Sequence, residues 1–163
     1  MTRLPIDTAF NAAVLRMTRI LLPTGFDVVD DGAPSTLDEL RDTYIRTGRI
    51  VVWSGGSDKN IFADPAVNHA MRAWHDHRHL TYQLPFEPEG EREVAFLQMT
   101  DLRVYLKPSM AQYNEWCALI HAEVNGQIEY MANHGGEFPD DQYAFVSAYL
   151  NDPIAACAAT VRF

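Results

Sequence analysis

Ala73-Trp-His-Asp-His-Arg-His-Leu80 places three histidines in five residues, within a segment whose pattern is helical. At 100° per residue His75 and His79 fall about 40° apart on one face, and His77 points away from both. An i, i+4 histidine pair is a common helical way to offer two imidazoles to one metal ion. Just upstream, Asp64-Pro65 supplies a cap followed by proline at the first helical position. Val67, Met71 and Trp74 form an apolar stripe beside a polar one of Asn68, Arg72, His75 and His79. The histidines therefore sit at the edge of a core, while His69 and Asp76 occupy a different face. Half-buried histidines bonded to neighbours would give the same pattern, so carboxylates on other helices decide between the two readings.

Two such carboxylates stand out. Glu91, Val94, Ala95, Gln98, Leu102 and Tyr105 share one stripe of the next helical stretch, whereas Glu87, Glu89 and Glu93 are placed for solvent. Further on, Gln112, Trp116, Leu119, Ile120, Glu123, Gln127 and Tyr130 project within about 80° of one another, with Glu123 at the centre. A carboxylate inside an apolar stripe must be paired, protonated or metal-bound, because burying it alone is expensive. A buried Arg72–Glu91 pair is the plain alternative for the first. His121, Glu115 and Glu129 read as solvated.

The remaining chain is patterned as helices. The first starts near Asp7 or Thr8 and stops before Pro23, burying Phe10, Val14, Met17 and Leu21. Thr24 to Pro34 reads as a turn-rich connector, and Ser35-Thr-Leu-Asp38 as a capping-box-like start to a helix ending at Gly48. Ile50-Val-Val-Trp53 is a short β-like run broken by Ser54-Gly-Gly-Ser-Asp58. Helices are expected from about Glu89 to Leu106, Ser109 to Asn133 and Pro139 to Leu150, with a closing turn around Ala155–Ala159. These elements predict an all-α fold: a single helical domain over residues 1–163, a bundle of about six helices with at most a short β-like segment.

The 163 residues suffice for a core without disulfides, and Cys117 and Cys157 read as reduced core cysteines. Thirteen basic against 22 acidic residues give a net charge of −9 and no basic run, which argues against general nucleic-acid binding. Met-Thr-Arg-Leu-Pro-Ile-Asp lacks the apolar centre of a signal peptide, and no apolar run approaches a bilayer span. The expectation is a cytoplasmic protein without membrane contact.

Other chemistries find less support. His75-Asp-His-Arg-His79 matches the zinc-protease pattern H-E-x-x-H with Asp76 in place of the glutamate, a side chain one methylene shorter. No Gly-x-Ser-x-Gly occurs, and Ser54-Gly-Gly-Ser57 lacks the lysine of a phosphate loop, leaving it to rim a pocket with Trp53. His75-Asp76 is a literal His-Asp pair, but His69 is too close and out of phase to complete an HD-type phosphohydrolase site.

The stretch from Val52-Trp-Ser-Gly through Arg72-Ala-Trp-His-Asp-x-x-His79, Glu89-Gly-Glu91 and Gly126-Gln127 to Asp141-Gln142 resembles small uncharacterised proteins of tailed bacteriophages. The resemblance spans roughly the last two thirds of the chain. It implies expression in an infected bacterial cytoplasm and assigns no activity to any residue.

The expected site has His75 and His79 as ligands of one divalent transition metal, zinc or iron(II), with Glu91 or Glu123 completing the set. Glu123, Glu91 and Asp76 are the candidate catalytic carboxylates, and Gln98, Gln127, Arg72 and Asn68 the candidate supports around the ligands. A three-ligand site with an open position favours hydrolysis, and the same ligands would serve an iron(II) oxygenase. The partner would be a small-molecule substrate. The rival expectation is a small acidic binding protein that inhibits or redirects a host factor, with structural histidines.

Overall fold

Residues 3–163 are described by a computed structural model; Met1 and Thr2, where the reading of the N-terminal segment begins, lie outside them. The architecture is all-α with one very small sheet. Helix α1 (Thr8–Leu21) is capped by the Asp7 carboxylate, which accepts from the Phe10 amide. Its buried face, Phe10, Val14 and Met17, packs on helix α3 (Pro65–Tyr82), which presents Val67, Ala70, Met71 and Trp74 to the same core. Each of the larger of these side chains contributes about 1.5–3 kcal/mol on leaving water, so this pairing anchors α3 as the central helix.

Between them the chain forms a β–α–β unit. Strand β1 (Asp27–Val29) runs parallel to β2 (Val51–Trp53), with Val28 opposite Val52, and helix α2 (Leu37–Thr47) makes the crossover that parallel strands require. The Thr24–Pro34 connector thus contains a strand. Three residues are too few for a period-two pattern to register. The start of α2 also differs by one position: Thr36 is the cap, accepting from Glu39 N–H, and Glu39 reaches back to the Ser35 amide. Gly48, at φ 69°, ends the helix in the left-handed region where a glycine carries no Cβ penalty.

Helix α4 (Pro88–Asp101) lies between α3 on one side and α5 (Met110–His121) on the other. It continues through a π-helical turn, Leu102–Leu106, and α5 continues through a second, Ala122–Gly126, into α6 (Gln127–Asn133). The helix expected from Ser109 to Asn133 is therefore continuous but wider in its middle. Helix α7 (Gln142–Asn151) starts three residues after Pro139, because the Asp141 side chain caps it, and α8 (Pro153–Ala156) closes the fold. Among the described residues no helix is long and apolar enough to cross a membrane. Cys157 is buried and Cys117 half-buried, both as free thiols.

The rotation of α3 against α4 is set by a buried cluster that periodicity does not reveal. Arg78 grips Asp101 through Nε and Nη2 at 2.7 and 2.8 Å, and the Trp74 indole donates to the same carboxylate at 2.9 Å. All three side chains are buried, and a carboxylate taking three charge-assisted or indole donors is fully satisfied there. This clasp holds the neighbouring edge of α3, with His75 and His79, against Glu91.

Candidate metal centre

His75 Nε2 and His79 Nε2 lie 3.0 Å apart, 2.8 Å from Glu91 Oε2 and 3.3 Å from Glu91 Oε1 respectively. The outer nitrogens are held by acceptors. His75 Nδ1 lies 3.1 Å from Gln98 Oε1, and His79 Nδ1 lies 3.0 Å from the Leu84 carbonyl. The Gln98 amide nitrogen turns to Met71 Sδ, which leaves its oxygen for the histidine. Since a carbonyl oxygen can only accept, both Nδ1 atoms carry hydrogen. In neutral imidazoles both Nε2 lone pairs then converge with a carboxylate, three acceptors with no donor among them. A shared proton or a cation resolves that conflict. His75 Nε2, His79 Nε2 and a Glu91 oxygen can each supply one ligand atom, all within 4.8 Å of one another. Tetrahedral zinc with ligands at about 2.0–2.1 Å has edges of about 3.3 Å, so the cluster needs only a few tenths of an ångström of adjustment.

Local sequence explains the convergence. Gln83 adopts φ 55° after the last turn of α3 and folds Leu84 back so that its carbonyl meets His79. Phe86 then packs on the His79 ring, 4.4 Å between centroids. Gly90 lets the first turn of α4 seat against this loop, since a Cβ there would overlap the Pro85 carbonyl. That seating places Glu91, which also benefits from the helix N-terminus.

Charge follows geometry. Burial pulls the His75 imidazole down, but the Glu91 hydrogen bond and charge outweigh it and hold it above its ordinary value. Burial alone would raise Glu91, yet His75 and His79 hold its carboxyl well below the usual range. His79 is fully buried, while His75 and Glu91 reach a broad cleft of about 1830 Å³ also lined by Trp53, Arg72, Asp76 and Glu123. The ligand set is thus closed on the core side and open on the other.

The structure distributes the expected site residues unevenly. His75, His79 and Glu91 come together, and Gln98 supports them. Glu123 faces the same cleft but is outside the cluster. Its Oε2 accepts from Gln127 Nε2 at 3.4 Å, and its buried Oε1 meets no partner among the described residues. Burial pushes its carboxyl up to about 8, against the pull of Arg72. The stripe that centred Glu123 assumed a uniform 100° step, and the π turn at Ala122–Gly126 breaks it. Gln127 accordingly supports Glu123 rather than the histidines. Asn68 donates to Ser57 Oγ at 2.9 Å, and Arg72 donates to the Trp53 and Gly55 carbonyls, so neither supports the ligands and no Arg72–Glu91 pair forms. Asp76 lines the cleft beside His75 instead of facing away. Burial raises it to about 6, although His75, His79 and Arg72 draw it down. His77 takes no part in the cluster, and its buried Nδ1 meets no partner among the described residues. The Leu84 carbonyl and Phe86 complete the setting of His79 without a signal in the sequence. A backbone acceptor leaves no residue-type signal.

No family model, no curated protein and no solved structure matches this chain.

Proposed function

We propose that the chain is a metal-dependent helical enzyme, with hydrolysis of a small-molecule substrate as the favoured reaction. The observation that carries this reading is the convergence of three potential ligand atoms, His75 Nε2, His79 Nε2 and Glu91 Oε, beside the cleft. Two imidazoles and a carboxylate suit one divalent transition metal, zinc or iron(II). Such a cation would acidify a bound water and polarise an acceptor oxygen of the substrate.

The chain's own groups would do the rest. Gln98 and the Leu84 carbonyl fix the imidazole tautomers, a support on which metal affinity commonly depends tenfold or more. Asp76 lines the cleft beside His75, where its carboxylate is placed to receive a proton. Glu123, raised to about 8, keeps its proton at neutral pH and can donate it from its carboxyl to a departing group. Two carboxyl groups facing one cleft are the parts that acid–base chemistry uses.

An iron(II) oxygenase would use the same three ligands. Metal analysis of the full chain purified without added metal separates the two: zinc supports hydrolysis and iron supports oxygen chemistry. A chain that purifies without metal and takes up neither ion in titration sinks both. The cleft at His75 favours an enzyme over a host-directed binding protein with structural histidines.

A further inference from the structure

One guanidinium in the cleft is held in place and yet left incompletely used. Arg72 stands one turn before His75 on α3. Its Nη1 donates to the carbonyls of Trp53 and Gly55, both at 2.6 Å, and its guanidinium carbon lies 5.7 Å from the centre of the Trp53 ring. Among the described residues Arg3, Arg41, Arg49 and Arg78 each hold a carboxylate, and the other arginines of the cleft, Arg92 and Arg162, have no side-chain hydrogen bond to fix them. Arg72 holds none, although Asp76 occupies the i+4 position where a helical ion pair would form. Neither Nη2 nor Nε bonds a protein atom among the described residues. The loop facing Nη2 is Gly56, where a Cβ would approach to 3.3 Å, so this edge is kept clear by the absence of a side chain.

The half-buried Arg72 guanidinium keeps two donor atoms that are not sealed from the cleft, so a ligand there can take both. Its planar fork matches the two oxygens of a carboxylate or phosphate. The nearby acids do not supply that match: Glu123 spends one oxygen on Gln127 and buries the other.

We propose that Arg72 is the oxyanion-binding residue of the cleft, and that the substrate carries a carboxylate or phosphate group held by Arg72 Nη2 and Nε. The inference rests on the reading of the cleft as a metal-dependent catalytic one. It adds the chemical class of what is bound.

The test is calorimetric titration of the full chain, metal-free and loaded with one equivalent of zinc, against inorganic phosphate and against acetate. The expected result is saturable binding of at least one oxyanion to the loaded protein, weakened at least tenfold in Arg72→Gln and less in Arg72→Lys. Metal content should be unchanged in both variants. The probe that binds tells phosphate from carboxylate recognition. If zinc binds but neither oxyanion does, or if Arg72→Gln binds equally well, the assignment of Arg72 fails and the metal reading stands. If no metal binds but an oxyanion still binds through Arg72, the metal reading fails and the oxyanion site stands. If neither binds, both are gone. Should Arg72→Gln unfold for loss of its bonds to the Trp53 loop, the wild-type titrations and Arg72→Lys still decide.

Discussion

His77 serves as a control built into the histidine helix. It shares composition and neighbourhood with His75 and His79 but not their phase, and it joins no ligand cluster. Alanine at His75 or His79 is therefore expected to abolish stoichiometric metal uptake, and His77→Ala to leave it within about twofold, read by metal analysis after dialysis. Equal loss in all three would mean adventitious binding. Glu123 gives a second expectation, in the metal-free protein. Folding raises its carboxyl from 4.5 to about 8, so the folded chain binds that proton more tightly than the unfolded one. The stabilisation is full below about pH 4.5 and is lost as pH rises through about 8, at up to about 1.4 kcal/mol per pH unit. Glu123→Gln removes the titration while keeping an amide on Gln127. Thermal melts between pH 6 and 8 should fall by roughly 5 °C more for the wild type than for the variant. Parallel curves would show that Glu123 is not a buried neutral acid.

At the scale of elements, the position of Glu91 depends on how closely α4 seats on the loop before it. Gly90→Ala puts a Cβ against the Pro85 carbonyl and should destabilise the fold by roughly 1–3 kcal/mol. It should also weaken metal affinity, although no ligand is altered. A denaturant melt and a metal titration check the two halves separately, and unchanged metal affinity would show that the loop yields without moving Glu91. The histidine helix was legible because Asp64-Pro65 and an i, i+4 pair are local signals that one helix carries alone. Glu91 was legible because its stripe runs unbroken from the first turn of α4. The β1 strand was not, being three residues whose pairing lies in a distant strand. Nor was the true setting of Glu123, because a π turn is a departure from the period on which the reading depends. The partners of Arg72 and Asn68 were not legible for another reason: helical phase says which way a side chain leaves the helix, not which loop comes down to meet it.

For the whole molecule, the candidate centre bridges two helices that the Arg78–Asp101–Trp74 clasp already holds together. A metal bound at a site preformed in this way would add to stability by mass action. At free zinc 100-fold above Kd the gain is about 2.7 kcal/mol, which for a chain of this size raises Tm by roughly 5–10 °C. The shift should vanish with a chelator and in His79→Ala, and survive in His77→Ala. A zinc-dependent Tm in His79→Ala would place the ion elsewhere. The net charge of −9 adds general attraction for cations, which is why the histidine variants, not the wild type alone, decide this point.

The π turn at Ala122–Gly126 makes this stretch of chain unusually tolerant of losing a residue. The segment holds one residue more than a regular helix would use, so a single deletion there lets α5 and α6 join as an ordinary helix with the downstream residues in nearly their present orientation. One residue removed from a regular helix instead turns everything beyond it by about 100° about the axis. Deletion of Val124 or Asn125 should therefore be tolerated far better than a single deletion inside α3 or α5, read by soluble yield and thermal melts across a deletion scan. Equal loss at all positions would show that the width of the turn is itself required. The folded protein thus carries a spare residue, placed where local helix propensity alone gives no reason for one.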